Sequence, residues 1–150
     1  MSTEDDPTIR ITRAESESER ALAHEIRHAV FVLEQGVPRE VELDGRDGEA
    51  LHFLAWVGAR AVATARVRKT VDGHKLERVA VLEPQRGRRV GEVLVRHVLL
   101  ALPSQERVYV HAQSGAVGFW ERLGFVADGP GFVEGGIAHR YMALRSSPGS

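Results

Sequence analysis

Lys75-Leu76-Glu77-Arg78-Val79-Ala80-Val81-Leu82 runs straight into Glu83-Pro84-Gln85-Arg86-Gly87-Arg88-Arg89-Val90-Gly91, and the reading of this join decides the fold. The first part is an apolar run that suits a strand, and Val90 to Leu102 carries helical spacing. The turn between them therefore hands a strand to a helix. The first amides of a helix have no partner inside it, and with the helix dipole they make a site for an anion. Gly87 and Gly91 let a backbone come close to a ligand without a Cβ in the way, and Arg86, Arg88 and Arg89 add positive charge beside those amides. The join reads as a pyrophosphate site; the plainer alternative is a strand-to-helix connection with a solvated basic turn. Neither GxxxxGK followed by Ser or Thr nor GxGxxG occurs, so the anion is expected on backbone amides and arginine, without a P-loop lysine.

Upstream of the join, Leu51 to Val57, Ala61 to Val71 and His74 to Leu82 read as three strands. Asp72-Gly73 between apolar runs is a hairpin signal, so an antiparallel meander is expected. Thr8 to Arg13 alternates isoleucine with polar residues, as a half-buried strand does. Ser16 and Glu19 form a capping box that starts a helix near Glu17, with Leu22, Ile26, Ala29, Val30 and Leu33 on one face. Downstream, the helix from Arg88 to Leu102 is apolar nearly all round, which implies deep burial, and Pro103 stops it. Val108 to Ala112 follows as a strand, with a parallel return to the sheet expected. Ser114 is placed to cap a short helix ending at Leu123-Gly124. Phe125 to Ala127 and His139 to Leu144 close the sheet as a hairpin with a long glycine-rich connection, a surface through which two copies could pair as a homodimer. Met1 to Pro7 and Ser146 to Ser150 read as loose tails around one domain spanning residues 8–145.

Composition narrows the function. A length of 150 residues suits a single core. The net charge of −1 argues against a nucleic-acid partner, for which a basic face is expected. Without cysteine there is no thiolate nucleophile and no cysteine-zinc site. No apolar run is long enough to span a membrane and the acidic start is unlike a signal peptide, so the cytoplasm is the expected compartment. Two segments carry competing readings. His24-Glu25-Ile26-Arg27-His28 matches HExxH, which would bind zinc through His24 and His28 with Glu25 as base in a small metallopeptidase; the competing reading is a plain packing helix, with no metal. The acidic loop Glu34 to Glu49, with Glu40, Glu42, Asp44, Asp47 and Glu49, reads either as an attractor for a cationic amine or as a solvated loop.

The segment RVAVLEPQRGRRVGEVL, residues 78–94, resembles the acetyl-CoA-binding motif of the GCN5-related N-acetyltransferases (GNAT), where a strand leads into Q-R-G-x-G-x-G and a helix. Arg89 stands where that pattern has its middle glycine. GFWERLGF, Gly118 to Phe125, is similar to the family's FYEKLGF segment, and VFVLEQGVP, EVELDGRDGEALHFL and GIAHRYMAL resemble its ElaA-type branch. The resemblance covers roughly residues 8–145. It implies an α/β fold: a GNAT-like mixed, mostly antiparallel central sheet flanked by helices on both faces. It also implies acetyl-CoA as co-substrate and a small-molecule or peptide amine as acceptor; a CoA-binding module without turnover is the alternative.

Carried over residue by residue, the resemblance assigns the cofactor to Val79, Ala80 and Val81 on the strand, to Arg86, Gly87, Arg88, Arg89, Val90 and Gly91 at the join, and to Phe119. A strand amide would face the thioester oxygen and stabilise the oxyanion. An acceptor amine with a pKa of about 10.4 is protonated at neutral pH, so a base is expected. Glu77 and His111 are the two candidates: strand alternation puts Glu77 on the side of Val79 and Val81, and His111 comes from the neighbouring strand. His52 and His139 match the ElaA-type pattern and are expected in the acceptor pocket. Where the family often has a tyrosine acid this chain has Trp120, whose indole can donate a hydrogen bond without giving up its proton; Tyr109 and Tyr141 are the substitutes to test. No residue reads as a covalent nucleophile, so direct transfer in a ternary complex is expected.

Overall fold

The computed structural model describes residues 9–145, and the two expected tails lie outside them. The order of elements is β1 (Ile9–Arg13), α1 (Glu17–Arg27), α2 (Arg39–Glu42), β2 (Leu51–Val57), β3 (Arg60–Thr70), β4 (Gly73–Val81), α3 (Val90–Ala101), β5 (Val108–Gln113), α4 (Val117–Arg122), β6 (Phe125–Ala127), β7 (Phe132–Glu134) and β8 (Ile137–Leu144). They form one mixed sheet in the order β1-β2-β3-β4-β5-β8-β6, with β7 paired to β8. All pairings are antiparallel except β4 with β5.

Alternation along the strands feeds two cores. On β2, Phe53 and Ala55 pack with Val90, Leu94 and Val98 of α3 and with Trp120 of α4, while Leu54 turns to Ala23, Ile26 and Val30 on the α1 side. Helices thus cover both faces. The start of α1 is as expected: Ser16 Oγ accepts from the Glu19 amide at 3.1 Å and Glu19 Oε1 from the Ser16 amide at 3.0 Å.

Four local expectations fail for identifiable reasons. Leu33 was expected on the buried face of the first helix but is 70% exposed, because the chain winds as a π-helix over His28–Glu34 and the wider turn shifts the phase of a 3.6-residue stripe. The α3 helix is buried only along Val90, Gly91, Leu94, Val95 and Val98; Leu100 is 88% exposed, so apolar sequence overstated its burial. Ser114 caps nothing: it opens a 3-10 turn, and α4 starts after Ala116 without a side-chain cap. The connection before β8 contains the unforeseen strand β7, folded back by Gly135 and Gly136 at φ 61° and 80°.

The decisive irregularity is in β4. Thr64 opposes Ala80 while Arg66 opposes Glu77, so β4 carries one residue more than β3, and Arg78 takes φ 52° at this bulge. A bulge reverses the alternation beyond it. Val79 and Val81 pack towards the α3 core, whereas Glu77 lies on the α1 face beside Arg66. The expectation that Glu77 shares a side with Val79 and Val81 is therefore corrected.

Candidate functional site

β4 and β5 pair only at His74 with Val108 and Lys75 with Tyr109, and then part. From Leu76 onward their facing edges have no strand partner among the described residues. A cleft of about 1000 Å³ occupies the gap and runs from the start of α3 to the acidic loop and the β7–β8 turn. Its lining includes Val79, Ala80 and Val81 of β4, His111 of β5, and Phe119 and Trp120 of α4.

At one end lies the turn before α3. Gly87 and Arg89 both take left-handed backbone, at φ 82° and 66°, the kind of turn that can gather amides to one side. No side chain among the described residues caps α3, which leaves its first-turn amides open to an outside acceptor. Gly91 has a different role from the one expected: a Cβ there would lie 3.3 Å from Val81 Cγ2 and 3.5 Å from Phe119 Cε1, so its lack of a side chain lets α3 close on β4 and α4. Around Gly87 the space is open. Arg89 sits where glycine is unstrained, at a cost of about 1–2 kcal/mol, and contacts Glu92 from there. Arg86 is engaged: its guanidinium pairs twice with Glu34, at 2.9 and 2.7 Å, and its Nε donates to the Val81 carbonyl at 2.9 Å. Arg88 does not line the cleft.

At the other end three carboxylates of the acidic loop, Glu42, Asp44 and Asp47, are paired with arginines instead of being left to solvent. Glu42 receives Arg27 Nε at 2.8 Å and Arg78 Nε at 3.0 Å. Asp44 receives Arg66 at 2.9 and 2.7 Å, and Asp47 receives Arg27 at 2.7 Å and Arg66 at 2.9 Å. The loop is a strap bolted down by three arginines, two of them buried; Glu40 and Glu49 stay exposed. Although burial raises the Asp44 and Asp47 carboxyls, the arginine hydrogen bonds outweigh it and hold both below the usual range.

Glu77 belongs to the same network. It pairs with Arg66, with Arg68 at 2.7 Å and with Lys75 at 3.3 Å. Its burial favours the neutral form, but the Arg68 hydrogen bond and the charges of Arg66 and Lys75 prevail and keep its carboxyl low. A carboxylate so held is a weak proton acceptor.

His111 presents a different picture. Its Nδ1 lies 3.1 Å from Glu134 Oε2, and its ring meets Phe132 edge-on with centroids 5.1 Å apart. The hydrogen bond from His111 lowers the Glu134 carboxyl to about 2, against the opposing effect of burial. Sequence reasoning missed Glu134 because β7 was missed; the Gly135-Gly136 pair between short apolar runs was the available signal. His139 lines the cleft, with Nδ1 donating to the Ile137 carbonyl at 2.6 Å, but His52 lies outside it, donating to the Asp47 carbonyl at 2.9 Å. Tyr109 bonds Thr70 and Tyr141 bonds Arg107, and neither reaches the cleft. Trp120 does, packed edge-on between Phe119 and Phe125, and its N–H has no protein acceptor among the described residues.

Among the described residues the HExxH helix does not gather a set of metal ligands. His24 faces Asp47 at 3.5 Å, Glu25 and His28 are exposed, and no three His, Cys, Asp or Glu side chains among the described residues are grouped to hold a metal ion. Its Arg27 is buried instead, as an anchor of the strap. The zinc-peptidase reading is not favoured. Among the described residues no helix is long and apolar enough to cross a membrane.

The model of the acetyltransferase (GNAT) domain matches residues 13–146. Protein ElaA of Escherichia coli (strain K12) is 35% identical over 127 residues, covering 79% of this chain and 82% of that protein. Its crystal structure superposes with a TM-score of 0.81 at 31% identity, covering 91% of this chain and 99% of that one. The uncharacterized N-acetyltransferase YjcF of Bacillus subtilis (strain 168) is 32% identical over 132 residues, covering 86% of this chain and 94% of that protein. A GNAT family acetyltransferase from Elizabethkingia anophelis with acetyl-CoA bound shares the fold at 13% identity, with a TM-score of 0.71 over 91% of this chain and 97% of that one.

Proposed function

The chain belongs to the GNAT acetyltransferase family, and from that premise we propose that it moves an acetyl group from acetyl-CoA to a primary amine by direct attack in a ternary complex. The observation that carries the reading is the parting of β4 from β5 in front of an uncapped helix start. Diphosphate would rest on the amides of Gly87, Val90 and Gly91, with Arg86 and Arg89 at its edge. The unpaired edge of Val79 to Val81 suits an extended amide-bearing arm, with Phe119 closing one side. The Elizabethkingia relative, with acetyl-CoA bound on the same fold, supports this cofactor.

In the proposed step the amine nitrogen bonds to the acetyl carbon, the carbon–sulfur bond breaks, and its electron pair leaves on sulfur. The proton lost by the amine goes to His111, whose Nε2 has no protein partner among the described residues. Trp120 N–H donates to the departing thiolate without protonating it. Glu77 acts as a fixed negative charge that holds Arg66, Arg68 and Lys75, and no longer as the proton acceptor. Calorimetry with acetyl-CoA, followed by a thiol-release assay over small amines and lysine peptides, tests this. Micromolar binding with turnover on at least one amine is expected. Binding without turnover would make the chain a CoA-binding module, and no binding at millimolar concentration would overturn the reading.

A further inference from the structure

We propose that Glu134 is a positioning residue, fixing which ring nitrogen of His111 is bare and holding that nitrogen towards the cleft. The inference rests on the reading of His111 as the base.

Three observations converge on it. First, the contact is built by the fold. The Gly135-Gly136 turn, with both φ positive, brings β7 back along β8, where Phe132 opposes His139 and Glu134 opposes Ile137. β8 in turn pairs His111 of β5 with Tyr141. The hairpin thus delivers the carboxylate to Nδ1 at 3.1 Å while Phe132 braces the ring from its edge. Second, the carboxylate fixes which ring nitrogen carries the shared hydrogen. Glu134 is ionised, so it only accepts, and the hydrogen on that bond sits on Nδ1. A neutral imidazole with hydrogen on Nδ1 carries its lone pair on Nε2. Third, that nitrogen is unoccupied by protein among the described residues, and His111 lines the cleft.

The neighbours do not compete for the role. Lys75 of β4 and His139 of β8 also act on Glu134, but Lys75 is 3.3 Å from Glu77 and the His139 Nδ1 is bound to the Ile137 carbonyl. The rings of Tyr109 and Tyr141 stand 6.0 and 6.1 Å from that of His111, and their hydroxyls are engaged with Thr70 and Arg107. A base held in the wrong tautomer offers a hydrogen where a lone pair is required, so the loss falls on turnover and leaves cofactor binding intact.

The test compares wild type with Glu134→Gln, Glu134→Ala, Glu134→Asp and His111→Asn, each checked by thermal melting. Ring ¹⁵N shifts of His111 at neutral pH are read without substrate. Wild type is expected to show hydrogen on Nδ1 alone, and Glu134→Ala a mixture of both tautomers. Turnover should fall about a hundredfold in Glu134→Ala with acetyl-CoA affinity unchanged, and Glu134→Asp should regain part of it. Equal tautomer patterns in wild type and Glu134→Ala, or full turnover in both Glu134→Ala and Glu134→Gln, would overturn the role. Full activity in His111→Asn would sink the base assignment instead, and the ¹⁵N pattern would still report separately whether Glu134 sets the tautomer.

Discussion

Replacing Arg27 with methionine removes one bolt of the acidic strap and nearly conserves volume. The Arg27 side chain is 1% exposed and the Glu42 carboxylate 3%. The change deletes charge-assisted bonds at 2.8 Å to Glu42 and 2.7 Å to Asp47. Breaking a buried pair by removing one partner costs about 3–5 kcal/mol, because the other charge is left without compensation. Here Glu42 keeps Arg78 at 3.0 Å and Asp47 keeps Arg66 at 2.9 Å, so the lower end applies, about 3 kcal/mol. For a domain of this size that lowers Tm by about 10 °C. Urea unfolding and thermal melting measure it, with Glu25→Ala on the exposed side of the same helix as a control expected within about 0.5 kcal/mol. Val41, Glu42, Asp44 and Arg46 line the cleft, so a loosened strap should also raise the amine KM while leaving acetyl-CoA affinity alone. A loss of less than about 1 kcal/mol would refute the view that the strap is held by buried charge.

Two further outcomes are expected. Gly87→Asp should weaken acetyl-CoA binding about tenfold by calorimetry, while Gly87→Asn, of equal size in the same open space, should bind nearly as wild type; equal affinities would remove the diphosphate from this turn. Asp44, Asp47 and Glu77 have folded-state pKa values held below their unfolded ones, so they contribute stability that is fully present above about pH 5 and is lost as acid protonates them; urea midpoints should fall below that pH, and fall less steeply in Asp44→Asn.

The sequence by itself determined the strand–turn–helix join, the capping box at Ser16, the β2–β3–β4 meander and the family resemblance. Each of these rests on local chemistry: periodicity, glycine placement and short-range hydrogen bonds written in consecutive residues. The tertiary structure decided the parts that depend on phase and on distant partners. One extra residue at Arg78 reversed the side on which Glu77 stands, and a π turn did the same to Leu33. Whether the acidic loop faced water or arginine depended on Arg27, Arg66 and Arg78, far away in sequence, and the pairing of His111 with Glu134 required a hairpin 23 residues downstream to fold back. Alternation carries information along a chain only until a bulge interrupts it. Pairing between charges carries none along the chain, because electrostatic contact is set by distance in space.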